Sequence, residues 1–585
     1  MEKIYNDTLD ISKVNETVTL CGWVQKKRNL GGLIFIDLRD RTGIVQLAIN
    51  PNNKNYELAE SLKNEYVIKV IGKVVERENK NPNLKTGDIE IDVSGLEILN
   101  TCDELPFTID DNTNALEDTR LKYRYLDIRR NKLKENLFLR NDILHFIRNK
   151  MYDMGFIEVQ TPILTASSPE GARDFVVPSR NFKGKFYALP QAPQIYKELL
   201  MVGGFEKYFQ IAPCFRDEDP RADRTLEFYQ LDLEMSFVTE EDVLNVGEEI
   251  FYDTFTKFSK KRVSPRPFRR IPYLEAIDKY GTDKPDLRYE MLINDITEIF
   301  INTEFSVFKN VIEEGGIINA IVAKNAADKY SRKKIDELTE VIKKRKASGL
   351  AYLKINEEIT GSIAKVITDD ELNNLKHKLK LEDNDIVFIV SGDKKIVKSA
   401  LGQLRIKAAN DLDLIDNNRL ELCIINDFPM FEYDEESNKW DFCHNPFSLP
   451  HGGAKAYETN NFEDILAYQY DFVCNGNEMA SGAIRNHDLE SLAKGFEIVG
   501  YSRETIENKF RSIFTAFKYG CPPHGGMAPG IDRIIMLIQD EPNLREVQAF
   551  PPNASGQDLM MGSPSELTSE QLKELGIKFL EDKNE

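Results

Sequence analysis

The chain has 585 residues, of which 41% are hydrophobic and 30% are charged, a composition typical of a globular protein with several domains. Its net charge of −20 argues against nucleic-acid binding by the surface as a whole, and leaves that role to basic patches such as Lys26, Lys27, Arg28, Arg39 and Arg41. The sequence has no apolar run long enough to cross a membrane and no secretory signal at its acidic N-terminus, and its seven cysteines form no CxxC pair. These features favour the cytoplasm and give no support to a disulfide framework or a zinc site.

Residues 1–108 contain five short alternating runs that predict β-strands, over 18–28, 33–40, 43–50, 66–75 and 87–99. Five strands in about a hundred residues favour a small closed barrel, for which the OB-fold is the natural candidate. Phe35 lies two residues before Asp37, with Arg39 and Arg41 beyond. The ring is therefore either an exposed platform on which unpaired bases stack or a part of the barrel core.

Residues 106–118 are polar and rich in turn formers, and we interpret the stretch 109–130 as a hinge. Apolar residues at helical spacing then predict a helix that ends near Gly155, followed by a strand over 156–164. Because proline cannot donate to a ladder, Pro162 belongs at an edge or an interface. In the loop that follows, Glu170 and Asp174 are a pair that is commonly just solvated.

Pro193 predicts a short helix that places Gln194 and Lys197 on one face. A lysine on such a helix is normally a surface charge. Immediately afterwards, two alternating runs joined by a charged loop predict a long antiparallel hairpin over 205–237.

The second run of the hairpin has one apolar and one polar face, because side chains of a strand alternate. The predicted apolar face consists of Leu231, Leu233, Met235 and Phe237, and the polar one of Phe228, Gln230, Asp232 and Glu234. The polar face either meets solvent or lines a site. In the loop, Arg216 offers a fork of donors for phosphate, and Glu218 offers a carboxylate that can accept from an exocyclic amine.

Residues 286–412 predict an inserted α/β module. The segment 333–355 has the pattern of an amphipathic helix before a strand, and 385–412 that of a strand before a helix. No pattern of catalytic residues is visible in this module.

Residues 413–560 again contain candidate functional residues. His444 lies in a predicted loop, where a histidine is more often merely exposed. Two strands then meet at an Asn475-Gly476 turn, and the second carries Glu478, with Arg485 seven residues later. A glycine-rich segment precedes a helix that begins near Asp532, so that Arg533 lies in its first turn, where a phosphate is favoured. From these residues alone two interpretations are equally good. Either they belong to a phosphate site, or Asp532 is an ordinary acid at a helix start and Arg533 is an ion-pair partner.

These motifs together resemble the class II aminoacyl-tRNA synthetases, and within them the bacterial-type aspartyl-tRNA synthetases. The segment FRDEDPRADRTLEFYQLDLEMSF resembles motif 2, the helix and strand with Pro162 resemble motif 1, and GCPPHGGMAPGIDRIIMLI resembles motif 3. The segment CGWVQKKRNLGGLIFIDLRDRTGIVQ is similar to the family's anticodon-binding domain. The resemblance covers essentially the whole chain.

The resemblance implies an α+β multidomain fold. Its expected parts are an OB-fold anticodon-binding barrel (1–108), a hinge (109–130), a class II catalytic domain built on an antiparallel sheet flanked by helices (131–285 and 413–560), a GAD-like insertion domain (286–412) and a C-terminal extension (561–585). It also implies an aspartate–tRNA ligase that uses ATP, L-aspartate, Mg²⁺ and tRNA-Asp, and that acts as a homodimer.

The resemblance also implies roles for single residues. Three are expected to be catalytic: Arg216, Glu218 and Arg533. Those expected to bind aspartate are Glu170, Gln194, Lys197, Arg216, Asp232, His444 and Arg485. Those expected to bind ATP are Arg216, Asp217, Glu218, Phe228, Glu478, Gly530, Ile531, Asp532 and Arg533. Asp471 and Glu478 are expected to hold Mg²⁺, and the anticodon is expected to contact Arg28, Leu30, Phe35 and Gln46.

Leu30 favours an enzyme specific for tRNA-Asp, because relatives that also charge tRNA-Asn tend to carry histidine at this position. The chain departs from the family pattern at Thr225, at Asn445 and at Ala480-Ser481. Two other functions are alternatives: an asparaginyl- or lysyl-type synthetase, and a non-catalytic tRNA-binding paralogue. Lys197, Arg485 and the insertion argue against the first. The paralogue should have lost Arg216, Glu478 or Arg533, and the sequence retains all three.

Overall fold

A computed structural model describes residues 2–167, 171–435, 437–459 and 461–579. The chain divides into two compact units, residues 1–115 and 116–585. The division falls inside the predicted hinge, and the finer domain boundaries stay predictions. Over the described ranges, none of the helices combines the length and the apolar character that crossing a membrane requires.

The first unit is a closed five-stranded barrel with the strand order β1-β2-β3-β5-β4. Its strands and its one α-helix are β1 Thr17–Leu30, β2 Leu33–Arg39, β3 Ile44–Ile49, α1 Tyr56–Ser61, β4 Val67–Glu76 and β5 Ile89–Asn100. Alternate apolar residues such as Val18, Leu20 and Val24 fill the interior. Gly22 lets β1 pass close to β2, since a Cβ there would lie 2.3 Å from the Arg39 carbonyl oxygen. The predicted barrel is confirmed.

The second unit begins with short helices and the predicted long one. Its elements up to residue 280 are α2 Glu117–Lys122, α3 Arg124–Asp127, α4 Asn131–Asp153, β6 Ile157–Glu158, β7 Val176–Pro178, β8 Phe186–Ala188, α5 Gln194–Val202, β9 Lys207–Phe215, β10 Glu227–Ser236, α6 Glu240–Phe258, β11 Arg262–Val263, β12 Arg269–Pro272 and α7 Tyr273–Tyr280. The strand predicted over 156–164 was too long, because only Ile157 and Glu158 pair with β9, and Pro162 lies outside the ladder.

The middle of this unit carries its own five-stranded sheet, in the order β13-β14-β17-β15-β16. Its elements are β13 Asn294–Asp295, α8 Ser306–Glu313, β14 Ile317–Ala323, α9 Arg332–Lys343, β15 Ala351–Ile355, β16 Thr360–Gly361, α10 Asp369–Leu379, β17 Asp385–Gly392 and α11 Lys394–Asp411. The side chain of Arg405 on α11 donates to the carbonyls of Asp286, Tyr289, Glu290 and Met291. Arg405 therefore connects the last helix of the module to residues 286–291, where the module begins.

The remaining elements complete the large sheet and the C-terminal helices. They are β18 Arg419–Leu420, β19 Leu422–Pro429, β20 Phe431–Asp434, β21 Lys439–Phe442, β22 Leu466–Cys474, β23 Asn477–Ile484, α12 Leu489–Ile498, α13 Arg503–Lys509, α14 Arg511–Ala516, β24 His524–Pro529, α15 Ile531–Gln539 and α16 Ser569–Leu575. The predicted turn between β22 and β23 has positive φ at both Asn475 and Gly476, as a tight hairpin requires.

The large sheet has eight strands in the order β12-β19-β22-β23-β24-β10-β9-β6. Its central pairs are antiparallel, as predicted, whereas the two outermost pairs, β12 with β19 and β6 with β9, are parallel. Helices α4, α6 and α15 cover one face with an apolar core that includes Phe251, Phe472 and Met527. The opposite face of β10 and β23 is left for polar side chains, and this face carries the candidate site.

The hairpin of β9 and β10 is confirmed, with one correction. Leu231, Leu233 and Met235 lie in the core as predicted. Phe237 does not share their face, because β10 ends at Ser236 and Phe237 has a φ of +58° and is 69% exposed. The polar face is not solvated: Asp232 and Glu234 are fully buried.

Candidate active site

A cavity of 390 Å³ lies over the polar faces of β10 and β23. Most of the residues predicted for aspartate and ATP line it: Gln194, Lys197, Arg216, Glu218, Phe228, Asp232, His444, Glu478, Arg485, Gly530, Asp532 and Arg533. These residues come from parts of the chain separated by up to about 340 positions, and only the folded sheet brings them together. Glu170 lies outside the described residues.

Lys197 is a buried cation, not the surface charge that its short helix alone suggested. It is 2% exposed, and its Nζ lies 2.7 Å from Asp232 Oδ1 and 3.3 Å from Glu234 Oε2. The helix α5 packs against β10, so that its buried face meets the polar face of the strand. A lysine is stable at this depth only because carboxylates neutralise it.

Arg485 lies immediately beyond the end of β23 and binds one of these two carboxylates, that of Glu234. Its Nε and Nη2 donate to the two oxygens of Glu234 at 2.8 and 3.1 Å, whereas its buried Nη1 has no hydrogen-bond partner among the described residues. Burial opposes the charge of Arg485, but the carboxylate of Glu234 outweighs it and raises the pKa of the guanidinium. Glu234 thus holds Lys197 and Arg485 side by side, with a donor of Arg485 still available.

The two carboxylates of this cluster differ in their electrostatics. Burial raises the pKa of Asp232, and the nearby Lys197 only partly compensates. Burial also acts on Glu234, but the charges of Arg485 and Lys197 together outweigh it and lower the pKa of Glu234. Glu234 is therefore the permanent anion that keeps both cations in place, and its position could have been inferred from the polar alternation of β10, although sequence reasoning assigned it no role.

The other end of the cavity has the features that suit a nucleotide. The Arg216 guanidinium lies 5.0 Å from the centre of the Phe228 ring, and within the described part of the chain it forms no ion pair. Glu218 forms an ion pair with Arg224 at 2.7 Å. Arg533 donates to the carbonyl of Glu478 at 2.6 Å. An unpaired guanidinium can bind phosphate, and an aromatic ring beside it can stack on a base.

Three of the predicted residues, Asp217, Ile531 and Asp471, do not line this cavity. The side chain of Ile531 is fully buried in the apolar core, so any contact with a nucleotide there would involve its backbone. Asp532 does line the cavity, but its carboxylate also binds Arg140 and accepts from Tyr229 N and Gln548 Nε2. This agrees with the alternative that Asp532 has a structural role at the start of the helix.

Acidic groups next to the nucleotide end form a candidate cation site. Neither oxygen of the fully buried Asp471 has a hydrogen-bond partner among the described residues. Asp471 Oδ2 lies 3.9 Å from His444 Nε2, and ligand atoms of Asp283, His444 and Asp471 all lie within 4.8 Å of one another. Burial and the charge of Glu478 raise the pKa of Asp471 to about 7.

Glu478, the second predicted metal ligand, is engaged differently. It accepts from Lys284 at 2.8 Å and lies 3.8 Å from Arg533, and these cations outweigh its burial and lower its pKa. The buried, orphaned oxygens of Asp471 fit a Mg²⁺ ion, which prefers oxygen ligands. Asp283 is a further oxygen donor nearby. Lys284 and Asp283 belong to a loop after α7 that has no periodicity, so no local pattern could have identified them.

The barrel places its predicted anticodon residues on the outer surface of β1 to β3. Phe35 is half-exposed while Ile34 and Ile36 fill the interior, so Phe35 is not a core residue. Arg28 lies opposite Phe35 and donates to Asp37 at 2.7 Å and to Gln46 at 3.3 Å. Leu30 is 62% exposed at the end of β1.

Two residues of the barrel are less accessible than expected. Gln46 is buried, and its amide also donates to Glu90. Arg39, predicted as part of a basic patch, is buried and paired with Glu65 at 2.6 Å, so it is not available to phosphate. The patch is therefore smaller than the sequence suggested.

Family models match both units. Residues 116–554 match the model described as tRNA synthetases class II (D, K and N), and residues 18–99 match that of the OB-fold nucleic acid binding domain. The chain is 50% identical over 584 residues to an aspartate–tRNA(Asp/Asn) ligase of Rickettsia canadensis, covering 98% of this chain and 97% of the relative. It is 49% identical over 574 residues to an aspartate–tRNA ligase of Streptomyces avermitilis, covering 97% of each.

Solved structures agree on the fold. The asparaginyl-tRNA synthetase of Pyrococcus horikoshii, complexed with asparaginyl-adenylate, aligns with a TM-score of 0.59 at 20% identity, over 94% of this chain and 98% of that one. The aspartyl-tRNA synthetase of Entamoeba histolytica aligns with a TM-score of 0.57 at 19% identity, over 94% and 91%.

Proposed function

Because the chain belongs to the class II tRNA synthetases of the D, K and N group, we propose that it is an aspartate–tRNA ligase. The enzyme activates L-aspartate with ATP, releases pyrophosphate, and transfers the aspartyl group to the 3′ end of tRNA-Asp. The relatives that match nearly its whole length carry this activity in their names. ATP is the energy source throughout this class of enzymes.

One observation carries the choice of amino acid: two buried cations, Lys197 and Arg485, share the carboxylate of Glu234 at the inner end of the cavity. The unpaired Nη1 of Arg485 gives the side-chain carboxylate of aspartate a charge-assisted hydrogen bond, and Lys197 can supply a second. Asparagine is rejected because its neutral amide is a weaker acceptor for these cations than a carboxylate and turns an NH₂ donor towards one of them. A lysine substrate would be repelled outright.

The first chemical step needs no general base, because the attacking α-carboxylate of aspartate is already an anion. Its oxygen forms a bond to the α-phosphorus of ATP while the bond to the pyrophosphate oxygen breaks. The protein contributes position and charge neutralisation. Arg216 neutralises the α-phosphate and the attacking carboxylate, and Arg533 holds the γ-phosphate. Phe228 stacks under the adenine, whose amine donates to Glu218.

The second step uses the same cavity. The terminal ribose hydroxyl of the tRNA attacks the carbonyl carbon of the aspartyl group, and AMP leaves. Gln194 and Asp232 keep the backbone end of the amino acid in place during both steps. If Glu170 closes over the α-amino group as the resemblance implies, it completes this enclosure.

Mg²⁺ is expected to lie at Asp471 and Glu478, where it would offset the negative charge of the ATP phosphates. Asp283 and His444 complete the set of donors on the same side of the cavity. Lys284 also contacts Glu478, at 2.8 Å.

We infer that the barrel binds the anticodon, with Phe35 as the stacking ring and Arg28 and Gln46 beside it. The exposed Leu30 favours discrimination against tRNA-Asn. A second possibility, charging of both tRNAs, has support from the relatives, several of which are named as ligases of both tRNA-Asp and tRNA-Asn.

We further propose a cytoplasmic homodimer. Its interface would include exposed apolar residues of α4 and the segment after it: Phe138, Tyr152, Ile157, Ile163 and Leu164.

The decisive experiment is aminoacylation of purified tRNA-Asp and, separately, tRNA-Asn with radiolabelled aspartate. Charging of tRNA-Asp alone supports the discriminating enzyme. Charging of both keeps the ligase but removes the argument from Leu30. If aspartate-dependent exchange of pyrophosphate into ATP is absent while ATP still binds, the protein is a binder and not an enzyme.

A further inference from the structure

A buried carboxylate, Glu198, lies directly behind the amino-acid end of the cavity. It is on α5, one turn after Gln194, and is 1% exposed. Unlike Gln194 and Lys197 on the same helix, it does not line the cavity. Its two oxygens face different partners: Oε1 accepts from Gln194 Nε2 at 2.5 Å, and Oε2 lies 3.5 Å from His524 Nε2.

The protonation of His524 follows from the polar groups next to its two ring nitrogens, of which Nε2 forms no hydrogen bond within the described residues. Its Nδ1 lies 2.8 Å from the carbonyl oxygen of Pro522, which can only accept, so Nδ1 carries a proton. A neutral ring would then point the lone pair of Nε2 at the carboxylate of Glu198. In a fully buried site this is unfavourable, so a second proton binds and the pair becomes imidazolium and carboxylate.

The groups around His524 support the charged ring. Glu198 on α5 and Glu234 on β10 both favour it, Cys521 lies 3.7 Å from Nδ1, and the carbonyl of His524 accepts from the backbone of Arg485. Burial lowers the pKa of His524, but the contacts with Cys521, Glu198 and Glu234 outweigh burial and raise the pKa to about 10.

The charge of Glu198 in turn fixes the amide of Gln194. An ionised carboxylate can only accept, so Gln194 must turn its NH₂ group towards Glu198. Its carbonyl oxygen is then left as the free end of the amide. Because Gln194 lines the cavity, this end is the one available to an ammonium group of a ligand.

We propose that Glu198, held by His524, is a positioning residue for the amino-acid substrate: it fixes the side-chain amide of Gln194 so that the carbonyl oxygen accepts a hydrogen bond from the α-ammonium group. This inference rests on the proposed function, because it takes aspartate as the ligand. Glu198 touches neither substrate nor ATP and acts only through Gln194.

The test is Glu198→Gln, which keeps the shape but removes the charge that orients Gln194. In aspartate-dependent exchange of pyrophosphate into ATP, the KM for aspartate rises about tenfold, the equivalent of one lost charge-assisted hydrogen bond. The kcat and the KM for ATP stay within about twofold of the wild type. The matched control is Glu248→Gln, since Glu248 is equally buried on α6 and lies near Arg266 and Arg270 but not at the cavity. This control leaves both KM values unchanged.

Two further measurements separate positioning from a purely structural role. In protein labelled with ¹³C at histidine, assigned with His524→Gln, the His524 signal of the wild type stays that of imidazolium from pH 6 to pH 9. In Glu198→Gln it becomes that of a neutral ring within this range. The double variant Glu198→Gln/His524→Gln removes both charges of this pair, so neither partner is left as an uncompensated buried charge and the variant folds even where the single variant does not. It shows the same rise in KM for aspartate.

An unchanged KM for aspartate in a folded Glu198→Gln or double variant overturns the inference, as does a wild-type His524 that titrates near pH 6.5. Failure of the proposed function is a different result, because the wild-type protein itself would then show no aspartate-dependent exchange.

Discussion

Arg216 and Arg485 show how burial gives two arginines of one cavity different roles. Arg485 is 2% exposed and bound to Glu234, so it belongs to the charge balance of the folded core. Arg216 stacks on Phe228 and has no carboxylate partner among the described residues, so its charge is available to a ligand. A stability role and a ligand role can therefore be separated by substitution.

Replacement of Arg216 is expected to affect catalysis alone. Arg216→Gln should lower kcat for pyrophosphate exchange by about 10²- to 10³-fold, because a donor that meets charge developing at the α-phosphate is lost. The midpoint of urea unfolding should not move, since no ion pair is broken. Arg221→Gln is the control: Arg221 is exposed on the same loop, and its removal should change neither quantity. A large loss of stability in Arg216→Gln would show that the guanidinium supports the loop and not the phosphate.

Replacement of Arg485 is expected to affect both properties. Arg485→Gln leaves Glu234 with Lys197 alone and should lower the free energy of unfolding by about 3–5 kcal/mol, as loss of one partner of a buried ion pair does. Aspartate-dependent exchange should be lost as well. The comparison is Arg503→Gln: Arg503 also contacts carboxylates, those of Glu490, Glu497 and Glu507, but at the surface, so less than about 1 kcal/mol is expected. Equal effects of the two substitutions in urea unfolding would contradict this assignment.

At the scale of elements, the junction between α6 and β19 places two acids together. The strand β19 has a bulge between Asn426 and Phe428, and Asp427 within it has a φ of +55°. The bulge turns Asp427 towards Glu240, the first residue of α6. Burial and the charge of Asp427 raise the pKa of Glu240 to about 7.

This junction predicts a pH dependence of stability. The folded-state pKa of Glu240, about 7, exceeds the unfolded value of about 4.3, so the native state binds the proton more tightly. Stability therefore falls as the pH rises through this window, and the penalty is complete above pH 7. Glu240→Gln should raise Tm by about 2 °C at pH 8, by less at pH 5, and not at all below pH 4. Asp427→Asn removes the repelling charge, so Tm of this variant should depend less on pH than Tm of the wild type does. If Glu240→Gln raises Tm by the same amount at every pH, the mechanism is refuted.

At the scale of the whole molecule, the barrel has a core of its own, built from residues such as Leu20, Ile36 and Val70. The chain divides after Ala115, beyond the last strand of the barrel. Residues 1–115 alone should therefore give a cooperative thermal transition. Residues 116–585 alone should keep aspartate-dependent pyrophosphate exchange and lose most of the charging of tRNA. If the isolated barrel is unfolded by circular dichroism, the two units depend on each other for stability.

Local patterns were sufficient for most of the architecture. Alternation with period two identified the barrel strands and the hairpin of β9 and β10, and the Asn475-Gly476 pair identified the turn of β22 and β23 because few residues adopt positive φ easily. Two predicted strands were too long. The strand β6 ends at Glu158, and β10 ends at Ser236, so that Phe237 turns away from the core. Local alternation does not show where a strand loses its pairing partner.

The sequence by itself determined the elements and their order. Through the resemblance of long motifs it also identified residues for aspartate and ATP, most of which line the cavity. Only the tertiary structure decided which charges are buried and which partners they have. Lys197 is buried against Asp232, and Arg39 is paired with Glu65 and so does not belong to the basic patch. Lys284 contacts Glu478, and His524 contacts Glu198 although more than 300 positions separate them in the sequence. The physical reason is that backbone preference depends on near neighbours, whereas the desolvation and pairing of a charge depend on every element packed around it.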